Sequence, residues 1–129
     1  MQSQSRLEEI SGLSVFVMED ESLVLVNLED MLDELGCKLV GPAMRIEQAE
    51  AMLEQAGAAD LAVLDVNIGG RPVFPIAERL RDKGVPLILA TGYGRDGLPA
   101  EWQNGVTVLA KPYTFDDLAG ALLQARGIA

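Results

Sequence analysis

The chain has 129 residues, 49% of them hydrophobic, which is enough for the core of one domain and leaves little room for a second. Ten Lys and Arg face twenty Asp and Glu, and a net charge of −10 repels phosphate backbones, so direct nucleic-acid binding is not expected. The absence of histidine removes catalytic triads and most transition-metal centres, and the single Cys37 removes an internal disulfide and suits a reducing cytoplasm.

Residues 1–12 read as a polar tail, with room for one loose helical turn around Leu7 and Ile10. They lack the apolar centre of a signal peptide, and no stretch approaches the roughly 18 apolar residues of a membrane span. A cytoplasmic protein without a membrane partner is therefore expected, its domain running over residues 13–129. Leu13 to Met18 is a short apolar run suited to a strand buried on both faces, and it stops at Glu19-Asp20. Leu25, Leu28, Leu32 and Leu35 follow at helical spacing, with Gly36 as the stop. Lys38 to Gly41 is a weaker strand near a sheet edge, and Ile46, Ala49, Leu53 and Ala56 mark one further amphipathic helix.

The alternation then repeats. Leu61 to Leu64 is a buried strand ending in Asp65, and a helix starting near Pro72 carries Val73, Ile76, Ala77 and Leu80 as far as Gly84. Pro86 to Ala90 is a strand ending in Thr91. Gly92 to Gly105 is the least regular region, with a short helix around Ala100 to Gln103 and few apolar residues beyond Leu98 and Trp102. Its glycines predict a mobile segment. Val106 to Ala110 is the fifth strand, ending in Lys111-Pro112, and Thr114 with Asp117 forms a capping box for the last helix. Five strands alternating with helical segments predict an α/β fold: a flavodoxin-like (βα)5 three-layer sandwich with parallel strand order 2-1-3-4-5.

Each of four strands closes on polar residues at its C-terminal end: Glu19 and Asp20, Asp65, Thr91, and Lys111. Singly, such residues are ordinary helix caps or surface charges. In a parallel sheet, however, these ends share one edge, and ligands bind at the crevice where strand order reverses. Two carboxylates about 4 Å apart repel by roughly 4 kcal/mol at an effective dielectric of 20, so a cluster of three calls for a cation or a raised pKa. All-oxygen donors suit Mg2+ rather than zinc.

This pattern resembles the receiver domain of bacterial two-component response regulators, from about Leu13 to Ala125. The resemblance implies that Asp65 accepts a phosphoryl group from a phosphohistidine on a sensor histidine kinase or phosphotransfer protein. It implies that Asp20 and Asp65 bind Mg2+ directly, Glu19 acts through water, and the backbone carbonyl of Asn67 completes the protein ligands. Thr91 and Lys111 would each contact a phosphoryl oxygen, and the Lys111–Pro112 peptide would be cis. The signal would leave through a downstream protein partner, and the chain would not be a turnover enzyme. Three positions depart from the common pattern: Val108 stands where most receivers carry a switch aromatic, Gly92 follows Thr91 in place of Ala, and Leu89 begins a run otherwise similar to a Phe-Ala-Thr-Gly subgroup. These departures put the usual Thr-to-aromatic switch in doubt.

The rival readings are a Mg2+-dependent aspartyl-phosphate phosphohydrolase, a flavin binder and a purely structural pseudo-receiver. The first would commonly place an acid–base Asp two residues after Asp65, where Asn67 stands, and the second would need a glycine-rich cradle after the first strand. The third sits poorly with a complete set of site residues.

Overall fold

The computed structural model describes residues 4–127, so the first three residues of the expected tail and the last two of the expected domain lie outside it. In chain order the elements are α1 (Gln4–Glu8), β1 (Ser14–Met18), α2 (Ser22–Glu34), β2 (Lys38–Ala43), α3 (Ile46–Ala51), α4 (Leu53–Gly57) and β3 (Leu61–Asp65). A small ladder of β4 (Asn67–Ile68) and β5 (Arg71–Pro72) leads to α5 (Phe74–Asp82). Then come β6 (Leu87–Thr91), two 3-10 turns (Arg95–Gly97 and Ala100–Trp102), β7 (Thr107–Ala110) and α6 (Phe115–Arg126).

The five main strands form one parallel sheet in the order β2-β1-β3-β6-β7. That is the order 2-1-3-4-5 expected from the alternation, the short β4–β5 ladder standing apart as a separate hairpin. Alternate residues of each strand feed opposite faces. Phe16, Met18, Leu64 and Leu89 pack with Ile46, Leu53, Ile76 and Leu80 of α3, α4 and α5. On the other face, Val15, Val17, Val63 and Ile88 pack with Leu25, Leu28 and Leu32 of α2 and Leu118 and Leu122 of α6. Both faces being covered explains why the central strands read as continuous apolar runs instead of alternating ones.

Several local expectations change. The helix expected from Ile46 to Ala56 is broken at Met52, whose φ of −120° and ψ of 25° are not helical. Nothing in the residue types at that point breaks a helix. The helix expected to begin near Pro72 begins at Phe74, with Pro75 in its first turn, while Pro72 pairs with Asn67 across the β4–β5 ladder. Proline suits both places, because neither requires its missing N–H. The region read as a tail contains α1, and Ile10 just beyond it is fully buried against α2 and α6. The capping box of Thr114 and Asp117 is present as expected. Among the described residues, no helix is long and apolar enough to cross a membrane.

Candidate functional site

Strand register sets the site. Met18 lies opposite Leu64, Asp65 opposite Ala90, and Thr91 opposite Ala110. The residues that follow β1 and β7, Glu19 and Lys111, therefore leave the sheet at the level of Asp65 and Thr91. With about 4.8 Å between neighbouring strands, Lys111 starts some 10 Å from β3, a span bridged by its extended side chain together with that of Asp65 and the hydrogen bond between them.

Lys111 reaches across. Its Nζ donates to Asp65 Oδ2 at 2.9 Å and to Glu19 Oε1 at 3.2 Å, and lies 3.7 Å from Glu21 Oε1. Burial disfavours its charge, but the hydrogen bond and charge of Asp65 outweigh that, and its pKa stands well above the ordinary lysine value. Glu19, only 1% exposed, is pushed up to about 7, first by burial. A hydrogen bond from the Glu21 backbone N–H pulls it back, and the neighbouring charge of Asp65 adds to the rise.

The loops supply the remaining contacts. Asp65 Oδ1 accepts from the Asn67 N–H at 3.0 Å, and Thr91 Oγ1 accepts from the Tyr93 N–H at 3.1 Å. Gly69 and Gly70, at φ values of 59° and 82°, form the two-residue turn of the β4–β5 hairpin. Positive φ at both central positions is the requirement of a type I′ turn, which glycine meets without strain. The turn brings the Gly69 N–H to Asp20 Oδ2 at 2.7 Å, so the hairpin leans on the acidic pair. Asp20, Asp65, Asn67, Thr91, Tyr93 and Lys111 line an open cavity of about 470 Å³.

The structure thus brings all six residues singled out from sequence to one sheet edge. Carboxylate oxygens of Glu19, Asp20, Glu21 and Asp65 lie within 4.8 Å of one another. This donor set is all oxygen and strongly negative, with one lysine as counter-charge, and it fits a hard divalent cation. Glu21 is the member that sequence reasoning missed. The Lys111–Pro112 peptide is cis, as expected, and Gly41–Pro42 is cis as well.

The doubly covered parallel sheet and the acid–lysine cluster at its strand ends define a small α/β domain with a ligand site at the point where strand order reverses. The family model for the response regulator receiver domain matches residues 15–123, and the chain belongs to that family. Among its relatives, the transcriptional regulatory protein PdtaR of Mycobacterium tuberculosis is 29% identical over 111 residues, covering 84% of this chain and 54% of that protein. The solution structure of SdrG from Sphingomonas melonis Fr1 is 36% identical with a TM-score of 0.76, covering 88% of this chain and 96% of SdrG. The receiver domain of Erythrobacter litoralis PhyR, at 24% identity and a TM-score of 0.78, covers 91% of this chain and 92% of its own and shows the shared fold. The chain spans about half the length of the curated relatives it matches. The family consists of two-component signalling regulators and not turnover enzymes, which decides against the phosphohydrolase reading.

Proposed function

We propose that the domain accepts a phosphoryl group on Asp65 from a phosphohistidine borne by a sensor histidine kinase or a phosphotransfer protein. The observation that carries this reading is Lys111, whose ammonium joins the carboxylates of Asp65 and Glu19 beside a cavity that Thr91 also lines. An Asp65 carboxylate oxygen attacks phosphorus, the P–N bond breaks, and the imidazole leaves with the bonding pair and takes up a proton. Lys111 and the Thr91 hydroxyl each then contact one oxygen of the aspartyl-phosphate. Asp20, Asp65 and the Asn67 backbone carbonyl would hold Mg2+, with Glu19 acting through water, and the ion would supply the positive charge that offsets this acidic site for an incoming anion. Catalysis here is positioning and charge neutralisation, with a carboxylate as the covalent acceptor.

The receiver unit under this reading is residues 13–129, with Leu7 and Ile10 packed against its core; it works in the cytoplasm and passes its signal to a downstream protein partner. An acidic surface supports a protein partner over a nucleic acid. Incubation with a phosphorylated histidine-kinase domain and magnesium should label the wild type and leave Asp65→Asn unlabelled. Equal labelling of both proteins overturns the assignment of Asp65.

A further inference from the structure

Glu21 stands at the N-cap of α2, yet its side chain makes no capping hydrogen bond. Glutamate is not among the residues preferred there; the shorter Ser, Asp and Asn close the helix end better. Its carboxylate lies 3.7 Å from Lys111 Nζ with the side chain 66% exposed. Glu21 and Lys111 together line both the phosphoacceptor cavity and a neighbouring groove of about 310 Å³ bounded by Met31, Pro112 and Tyr113. Lys111 therefore has three carboxyl neighbours, two of them buried and the third at the mouth of the site.

We infer that Glu21 is a positioning residue that competes with incoming phosphoanions for Lys111 and so slows the phosphorylation of Asp65 by small free donors. The inference rests on Asp65 being the acceptor. Its physics is that of one extra negative charge. A free acyl phosphate must approach past Glu21, and its phosphoryl oxygen must take a place on Lys111 that the Glu21 carboxylate partly screens. A donor docked as part of a protein brings contacts elsewhere that offset the same repulsion. The ordinary alternative is that Glu21 is a solvated acid favoured by the helix dipole, in which case its removal touches stability slightly and donor chemistry not at all.

A unit charge at about 4 Å in water corresponds to about a five-fold effect on a rate. The test measures labelling of Asp65 by acetyl phosphate in the wild type, Glu21→Gln and Glu21→Ala, each at a magnesium concentration shown by titration to saturate it. Both neutral variants should label about five-fold faster at low ionic strength. The advantage should shrink as salt rises to about 1 M, where the screening length is about 3 Å. Thermal melts of the three proteins should agree, since the side chain is exposed and caps nothing. Labelling of the variants with none of the wild type is the same result in stronger form. Equal rates in all three proteins overturn this inference and leave Asp65 as the acceptor. An acceleration confined to Glu21→Ala, or one unchanged by salt, means bulk and not charge is at work and overturns it too. Failure of all three to label, while a phosphorylated histidine-kinase domain labels the wild type, overturns the inference alone; failure with both donors overturns the acceptor assignment with it.

Discussion

Glu19 is a carboxyl group held where water scarcely reaches, and its titration has a consequence for folding. Its ordinary value is 4.5, and burial in the folded domain raises it to about 7. Between those values the folded state binds a proton that the unfolded state has released, so stability falls as pH rises through this window. The loss is complete above the folded value. With a chelator present, Glu19→Gln should melt higher than the wild type at pH 8 and show a flatter profile between pH 5 and 7. A lower melting temperature for the variant at pH 8 would mean that the Glu19–Lys111 pairing contributes more than the burial costs. The sequence made Glu19, Asp20, Asp65, Thr91 and Lys111 legible because each interrupts or follows an apolar strand at its C-terminal end. It hid Glu21, which follows two acids and reads as one more loop charge until the reach of Lys111 from β7 is known.

At the scale of elements, the segment between β6 and β7 departs most from what its glycines imply. Leu98 and Trp102 are both buried, and they fasten its second half to the core. The Trp102 ring lies 5.5 Å from that of Phe74, and the Arg81 guanidinium sits 4.0 Å from its centroid, so α5 holds the ring through two side chains. Arg95 adds hydrogen bonds to the carbonyls of Gln103 and Val106, tying the two 3-10 turns to the start of β7. Trp102→Ala should therefore cost about 3–5 kcal/mol in urea unfolding, as large aromatic truncations in cores do. Arg81→Ala should cost about 0.5–1 kcal/mol through the lost cation–π contact, since the arginine is exposed. A Trp102→Ala loss below that of Arg81→Ala would show the segment to be loosely held after all. Composition revealed the irregular backbone here because glycine acts locally, and it concealed the anchoring because that depends on residues of α5 some twenty or more positions away. The same limit explains the β4–β5 hairpin. Gly69-Gly70 is a turn signal, but two residues on each side are too few to show strand periodicity.

The molecule as a whole is a sheet with two cores, and its N-terminal segment belongs to one of them. Ile10 is fully buried, in the core cluster that also holds Leu28, Leu32, Leu35 and Cys37. The backbone around it is fixed as well. The Ile10 carbonyl accepts from the Cys37 thiol at 3.5 Å, and the Gly12 N–H donates to the Gly36 carbonyl at 2.8 Å. Gly36 has a φ of 80°, and a Cβ there would come within 2.5 Å of Ser11 Oγ, so the turn after α2 and the approach to β1 are fitted to each other. A stretch of twelve mostly polar residues gave no periodicity by which one buried isoleucine could be recognised, because its partners lie at the far end of α2 and on α6. Ile10→Ala should lower stability by about 2–5 kcal/mol, read as a fall in urea midpoint at an unchanged slope. The acid–lysine cluster lies at the opposite ends of the strands, beyond Met18 and Leu64, so the proposed magnesium-dependent labelling of Asp65 should persist at temperatures where the variant remains folded. A midpoint shift worth less than about 0.5 kcal/mol, the size of an ordinary surface substitution, would return residues 4–12 to the status of a tail. A large shift accompanied by lost labelling in the folded protein would instead show that the N-terminal segment reaches the site through the core it shares with β1 and β3.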